Sequence, residues 1–203
     1  MNRTSLQFRT LAAPEIPGPS TIADAIQLQA ALHPKRPAII TSHLASFTFQ
    51  DLGEHIRSVG EQLHAAGIGS SSRVGILLPK GPEAVVFGVS IAAHAISVPL
   101  NPNLTLGELN EELARLRLDA IVLPNWIDSP LSITLKDRSL GVFRAAQVVD
   151  SLSNIALHQV CDVPAPLRKS GVPSSDSTAV VLRSSGITGT AKYIRLTHGD
   201  LEK

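Results

Sequence analysis

Apolar residues between Thr48 and Gly67 recur at the spacing of one helical face. They are separated by steps of three and four residues, which place all of them on one side of an α-helix: Leu52, Ile56, Val59 and Leu63. Thr48 stands where an N-cap is expected, and Asp51 completes the pattern of a capping box. Gly67 follows where a left-handed residue would end the helix. The pattern predicts an amphipathic helix packed on a sheet.

Similar helical stretches alternate along the chain with short apolar runs that are typical of buried strands. The first predicted helix, 22–32, is opened by Ser20 or Thr21, another begins with Pro82, and a further one covers 104–118. The predicted strands are PAIIT and SFTF, which form a hairpin around HLA, then RVGILLP, ISVPL, DAIVLP and STAVVLR. This alternation requires crossover connections, which produce a mainly parallel sheet with flanking helices on both faces. The sequence therefore predicts an α/β fold.

Composition divides the chain into four segments. Residues 1–19 are expected to form a flexible N-terminal tail, and residues 20–160 an α/β subdomain. Residues 161–177 are rich in proline, serine and glycine and predict an exposed linker. Residues 178–203 contain a strand and a glycine-rich loop. The pattern is weaker in the later part of the subdomain, where it favours a helix near 132–137 and strands near 140–149 and 155–160.

Composition and charge limit the classes of partner. Apolar residues are 43% of the 203-residue chain, which suffices for a buried core. The 18 basic and 17 acidic side chains nearly cancel, so charge favours neither nucleic acid nor an acidic membrane surface. The most apolar run, 84–100, is short for a membrane span. The single Cys161 can form no internal disulfide, and the 7 histidines lack metal-ligand spacing. We expect a cytoplasmic protein without a membrane span or a metal site.

The stretch SSGITGTAK at 184–192 has the composition of a phosphate-binding loop. Glycines let backbone N–H groups approach an anion, hydroxyls add donors, and Lys192 adds a positive charge. The P-loop motif G-x-x-x-x-G-K-[ST] does not fit, because Ala191 and Tyr193 stand where it needs a glycine and a hydroxyl. A surface turn that happens to contain a lysine is the alternative from composition alone. The residues on either side of the loop favour the first interpretation.

Together, RSSGITGTAK at 183–192 and LTHGDL at 196–201 resemble the AMP-binding signature of the adenylate-forming superfamily. This superfamily includes acyl-CoA synthetases, aryl-CoA ligases, luciferases and the adenylation domains of peptide synthetases. The resemblance begins near residue 20 and includes PLNPNLTLGEL. Within the superfamily, the sequence most resembles acyl- and oxalyl-type CoA ligases. It implies the N-terminal subdomain of an adenylate-forming enzyme. It also implies ATP, Mg²⁺, a carboxylic acid and coenzyme A as cofactors and partners.

In this superfamily the loop holds the β- and γ-phosphates of ATP while a carboxylate attacks the α-phosphate. Carried over by position, the resemblance implies these binding residues: Ser184, Ser185, Gly186, Thr188, Gly189, Lys192, Thr197 and His198. It implies no catalytic residue in this chain. Several positions at the loop depart from the superfamily pattern: Arg183, Ile187, Ala191 and Tyr193. An isoleucine cannot donate to phosphate, and a tyrosine restricts a backbone position that glycine leaves free, so these departures weaken the predicted site.

Superfamily members are more than twice as long as this chain. Their later adenine-binding, magnesium-assisting and ribose-binding motifs, their hinge and their C-terminal lysine have no counterpart in the 203 residues. We therefore expect a truncated acid–CoA ligase-like chain that is inactive alone and binds ATP weakly or not at all. A non-catalytic binding protein that retains the scaffold is the alternative. Three explanations of this chain stay open: a fragment of a full enzyme, the product of a truncated gene, and a small binding protein. An exposed apolar surface is expected to cause self-association.

Overall fold

The computed structural model describes most of the chain and gives its secondary structure. The described residues are 18, 20–41, 46–125, 140–145, 156–165, 169–184 and 192–201. The helices are α1 (Ile22–Leu32), α2 (Phe49–Ala65), α3 (Pro82–Ala92), α4 (Leu106–Leu116) and α5 (His198–Leu201). The strands are β1 (Pro37–Ile39), β2 (Phe47–Thr48), β3 (Arg73–Ile76), β4 (Ile96–Pro99), β5 (Ala120–Pro124), β6 (Gly141–Ala145), β7 (Leu157–Cys161), β8 (Thr178–Ser184) and β9 (Lys192–Thr197).

Most strands of the described chain belong to one sheet. This sheet is seven-stranded, in the order β7-β6-β5-β3-β4-β8-β9. Its inner strands are parallel, whereas β7 and β9 pair antiparallel at the two edges. β1 and β2 form a separate antiparallel pair, as the predicted hairpin requires. The structure therefore confirms the α/β fold with a mainly parallel sheet.

Helices cover both faces of the sheet. Successive side chains of a strand face opposite ways, and β5 shows both directions. Ala120 and Val122 join the apolar cluster under α2 and α3, and Ile121 and Leu123 join the cluster under α4. The face that α2 buries is the predicted one, formed by Leu52, Ile56, Val59 and Leu63. Each of these helices therefore buries one apolar stripe against the sheet.

Helix ends follow local signals in the sequence. Thr21 caps α1, which selects it over Ser20 as the N-cap. Thr48 and Asp51 form the predicted capping box at the start of α2. After α2, Gly67 has a φ of 79°, the left-handed conformation predicted for it. These ends depend on contacts between residues close in the chain, which explains why the sequence could predict them.

Helix α4 is shorter than the predicted 104–118. Thr105 and Glu108 form a capping box, so the helix proper begins one residue after Thr105. At the other end Arg117 has a φ of 49° and stops the helix in the conformation that glycine usually supplies. The predicted C-terminal bound was wrong because no glycine or proline marks that end, whereas the start is marked in the sequence by the capping-box residues Thr105 and Glu108.

Most described residues of the predicted exposed linker 161–177 are exposed, but the segment is anchored to the rest of the fold at Val163 and Lys169. Val163 is only 1% exposed. Lys169 Nζ lies 2.7 Å from Asp119 Oδ2, and the Lys169 amide donates to Gly67 O at 2.7 Å. Proline, serine and glycine oppose regular structure but do not prevent contact with a core, so composition could not reveal this anchoring. The segment boundaries remain a prediction.

Other predictions from the sequence concern residues that the structure describes in part. The tail at 1–19, apart from Gly18, lies outside the described residues, as do the HLA turn at 43–45 and the helix near 132–137. The apolar run at 84–100 belongs to α3 and β4, as predicted. Within the described ranges, none of the helices has the length and apolar character that crossing a bilayer requires.

Candidate functional site

The predicted phosphate loop lies between β8, which ends at Ser184, and β9, which begins at Lys192. These two residues are paired, as the last pair of an antiparallel ladder. β8 runs parallel to the other inner strands, so its carboxyl end lies at the edge of the sheet where open α/β folds bind ligands. Several predicted binding residues of the loop lie outside the described residues: Ser185, Gly186, Thr188 and Gly189.

Ser184 and Lys192 are two predicted binding residues that the structure brings together. Ser184 Oγ donates to the Lys192 carbonyl oxygen at 3.2 Å, which ties the two strand ends to each other. The Lys192 side chain is exposed and has no ion pair with any residue in the described ranges. A lysine ammonium of this kind is a mobile point charge that suits a phosphate group.

Arg183 and Tyr193 form the preceding pair of the same ladder, and both contact Glu112 on α4. Arg183 Nε lies 3.2 Å from Glu112 Oε1, and the Tyr193 hydroxyl donates to Glu112 Oε2 at 2.5 Å. The Glu112 side chain is 6% exposed. Burial, together with the adjacent Glu112 carboxylate, raises the pKa of Tyr193, so this phenol stays protonated at neutral pH. We call these three residues the Glu112 cluster.

Two residues that depart from the superfamily pattern, Arg183 and Tyr193, share Glu112 as their partner. The sequence contained a signal for this contact. Glu112 lies in the buried stripe of α4, among leucines at helical spacing: Leu109, Leu113 and Leu116. A carboxylate in such a stripe requires charged or hydrogen-bonding partners, because burying it alone is costly. The other two departures, Ile187 and Ala191, lie outside the described residues.

Thr197 and His198, also predicted to bind the ligand, lie at the other end of β9. An extended strand from Lys192 to Thr197 is about 17 Å long. Thr197 caps α5 through reciprocal hydrogen bonds with Asp200, at 3.0 and 3.1 Å. His198 is buried, and its Nδ1 accepts a hydrogen bond from the Ile22 amide at 3.2 Å. The structure therefore does not bring these two residues together with the loop ends.

A cleft separates the ends of β3 and β4 at the carboxyl edge of the sheet. α3 and α4 pack on opposite faces, so the chain leaves these two adjacent strands in opposite directions, which opens a crevice between them. The cleft has a volume of about 440 Å³. Its walls are mainly apolar, and Lys80, Asn101 and Asn103 are its polar side chains. This lining suits an apolar body with one polar group better than a polyphosphate.

The described residues at the loop ends fit a phosphate group better than a magnesium ion. Lys192 provides an ammonium that can donate to phosphate oxygens, whereas the Ser184 hydroxyl can do so only by releasing the Lys192 carbonyl oxygen to which it donates. The carboxylate of Glu112 has one oxygen on Arg183 and the other on Tyr193. Across the described ranges, no three His, Cys, Asp or Glu side chains are grouped as ligands for a metal ion.

Comparisons with known proteins agree with this architecture. Residues 26–202 match the family described as AMP-binding enzyme. Over 195 residues the chain is 27% identical to the medium-chain fatty-acid–CoA ligase of Escherichia coli K12, covering 91% of this chain and 34% of that protein. Over 185 residues it is 29% identical to the sulfoacetate–CoA ligase of Cupriavidus necator H16, covering 89% and 35%. The chain thus spans about a third of the length of these curated relatives.

A solved structure supports the fold. The N-terminal subdomain of NpsA from Klebsiella oxytoca, in complex with anthranilyl-AMSN, superposes with a TM-score of 0.59. The sequences are 19% identical, and the match covers 88% of this chain and 41% of that one. At this identity the likeness concerns the fold alone.

Proposed function

The chain belongs to the AMP-binding enzyme family, and from this premise we propose that it supplies the phosphate-binding side of an AMP-forming acid–CoA ligase site. The observation that carries the proposal is the last pair of β8 and β9. It pairs Ser184 with Lys192, whose side chain is exposed, at the carboxyl edge of the sheet. The two ligases named above act on different acids, so the acid substrate is not part of the proposal.

In the proposed site each residue binds or orients phosphate. ATP, when bound, supplies the activating group, and its pyrophosphate leaves with added negative charge. The Lys192 ammonium stabilises that negative charge, and this electrostatic stabilisation is larger where water is excluded. Ser184 adds a hydroxyl donor beside Lys192 when that hydroxyl turns from the Lys192 carbonyl oxygen to the phosphate. The residues proposed to complete the cradle with backbone and hydroxyl donors are those of the loop: Ser185, Gly186, Thr188 and Gly189.

We also propose that the isolated chain has no ligase activity. Adenylation requires an acid and a nucleotide held in a precise mutual orientation, which accounts for much of the rate of such reactions. The described carboxyl edge beside the loop offers one hydroxyl and one ammonium for this task. We expect no acid-dependent exchange of labelled pyrophosphate into ATP above a protein-free control. Exchange above that control would refute this part of the proposal.

A titration tests the binding function directly. We expect ATP, GTP and pyrophosphate to bind with dissociation constants on the order of millimolar, near −4 kcal/mol, because ordering the loop offsets much of the gain. Binding should weaken with salt and show no preference for adenine. Lys192→Ala should weaken pyrophosphate binding about tenfold, the loss expected for a charge-assisted contact. Lys35→Ala, which removes an exposed lysine after α1, is the control and should bind like wild type.

Two outcomes would contradict the binding proposal. The first is equal pyrophosphate affinity in wild type, Lys192→Ala and Lys35→Ala, which would mean that Lys192 does not contact the anion. The second is micromolar affinity with a preference for ATP over GTP, which would require adenine recognition by residues that the proposal does not include.

A non-catalytic interaction function is the second candidate, and an exposed apolar pair favours it. Leu182 and Ile194 are paired across β8 and β9 and are 38% and 49% exposed. They lie on the face opposite to the Glu112 cluster, because side chains alternate along each strand. An exposed apolar pair on the edge strand β9 and its neighbour β8 can associate with a second copy of the chain.

A further inference from the structure

The Glu112 cluster lies immediately before the last strand pair. One carboxylate contacts both members of the Arg183–Tyr193 pair, with a separate oxygen for each. Glu112 is 81 residues from Tyr193 along the chain, so the contact connects distant elements. Because α4 packs on the sheet through its leucines, the carboxylate is held at a fixed height above β8 and β9.

The alternation of side chains along β8 and β9 determines which of them stay free to contact an anion. Arg183 and Tyr193 face α4, so their neighbours Ser184 and Lys192 face the opposite side of the sheet. The carboxylate therefore holds the strands from one face and leaves the two anion-binding side chains on the other. It also neutralises the Arg183 guanidinium, so that Lys192 is the unpaired cation at these strand ends in the described part of the chain.

We propose that Glu112 is a positioning residue, which fixes the spacing of Ser184 and Lys192 by binding the Arg183–Tyr193 pair beside them. Its effect on anion affinity rests on the proposed phosphate-binding function, whereas its effect on the strand ends does not. Arg183 and Tyr193 then act as a matched set with Glu112. At the start of β9, where the superfamily usually has a flexible glycine, Tyr193 is instead held by a contact from α4.

Hydrogen exchange in the free protein tests the effect on the strands. We expect Glu112→Gln and Tyr193→Phe to raise exchange about tenfold in peptides from 178–184 and 192–197, the change expected when a hydrogen bond to a charged group is lost. Exchange in α1, α2 and α3 should stay unchanged, which excludes general unfolding. Glu61→Gln, which removes one partner of the exposed Arg57–Glu61 pair, is the matched control. Unchanged exchange in Tyr193→Phe overturns the proposal.

The sign of the effect on pyrophosphate affinity separates positioning from simple electrostatics. Glu112→Gln removes a negative charge and leaves Arg183 unneutralised, so electrostatics alone would tighten pyrophosphate binding. Positioning instead predicts about tenfold weaker binding per folded molecule at low salt, and Tyr193→Phe should weaken it without any change in charge. Where wild type binds pyrophosphate, equal or tighter binding in both variants overturns the proposal even when exchange rises.

The two proposals can fail separately in these experiments. If wild type binds no pyrophosphate while exchange rises in both variants, the phosphate-binding function fails and the positioning of the strand ends by Glu112 stands. If wild type binds pyrophosphate and exchange in the variants stays at the wild-type level, the positioning proposal fails and the phosphate-binding function stands. If Glu112→Gln raises exchange throughout the chain, that variant is generally destabilised. The outcome is then decided by Tyr193→Phe, which removes only a single hydroxyl.

Discussion

At the scale of single residues, His198 is a buried imidazole whose protonation opposes folding. Its Nδ1 accepts a hydrogen bond from the Ile22 amide at the start of α1, so the proton of the neutral ring lies on Nε2. Protonating Nδ1 removes that bond and adds positive charge at the positive end of the α1 dipole. Burial lowers the pKa of His198, and the nearby Asp24 carboxylate partly opposes this shift.

This lowered pKa predicts a loss of stability in mild acid. The unfolded histidine titrates near 6.5, above the folded pKa, so the unfolded chain binds the proton more readily. The stabilisation from neutral His198 is therefore complete above about pH 7 and is lost as the pH falls toward the lowered pKa. We expect the urea midpoint to fall between about pH 7.5 and 5.5, and His198→Asn, whose side-chain oxygen can accept from Ile22, to reduce that fall.

Part of the fall should remain in His198→Asn. The pKa of His94 is also lowered, chiefly by burial, against a hydrogen bond with Ile56 that raises it. The double variant with His94→Asn should therefore show the flattest profile. Superimposable pH profiles for wild type and His198→Asn would show that His198 does not couple protonation to folding.

At the scale of secondary-structure elements, Gly60 determines how closely α2 approaches the second residue after α3. That residue, His94, has its Nε2 2.9 Å from the Ile56 carbonyl oxygen on α2. A Cβ atom at Gly60 would lie 2.3 Å from His94 Cε1 and Nε2, closer than any van der Waals contact. The ring cannot move away without losing its hydrogen bond to α2, so a side chain here must separate the two elements.

Two glycine substitutions in the same helix should therefore have opposite effects. Gly60→Ala should lower the free energy of unfolding by about 1–3 kcal/mol, the usual cost of overpacking a core. Gly53→Ala is the control, because its new Cβ would meet its nearest neighbour, Ala30 Cβ, at an ordinary 3.4 Å. That change should raise stability by up to about 1 kcal/mol through helix propensity. Urea unfolding of both variants measures the difference, and a stabilised Gly60→Ala would contradict the packing argument.

At the scale of the whole molecule, the exposed pair Leu182 and Ile194 predicts self-association. Sedimentation velocity over a range of concentrations should show a mass-action shift toward larger species in wild type. Leu182→Lys and Ile194→Lys should reduce that shift, since like charges on paired strands repel a second copy. Leu28→Lys, which replaces a leucine that is 44% exposed on α1, should leave it unchanged. A wild-type chain that stays monomeric at high concentration would refute the prediction.

Local contacts explain how much of the architecture the sequence predicted. The capping box of Thr48 and Asp51, the left-handed Gly67 and the amphipathic stripe of α2 involve residues within one or two helical turns. The alternation of such helices with apolar strands then restricts the chain to an α/β fold, because parallel strands require crossovers. The position of Ser184 and Lys192 on either side of a glycine-rich loop was also present in the sequence. Whether that loop binds phosphate stays a prediction.

Other features required the tertiary structure. Thr197 and His198 follow the loop closely in sequence, but an extended β9 carries them about 17 Å away, where they cap α5 and α1. The end of α4 at Arg117 and the burial of Val163 also had no clear local signal. For His198 and Val163 the outcome depends on which distant surface the residue contacts, and composition contains no information about that surface.

The sequence by itself determined the order of helices and strands, the α/β class and the segment that carries the candidate phosphate-binding residues. These follow from periodicity and from contacts between near neighbours. Only the tertiary structure decided that Glu112, Arg183 and Tyr193 meet, because that contact requires β8 to lie beside β4 and α4 to pack over the same face. A pattern of residues predicts that a buried carboxylate needs partners, but the order of strands in the sheet selects which partners it obtains.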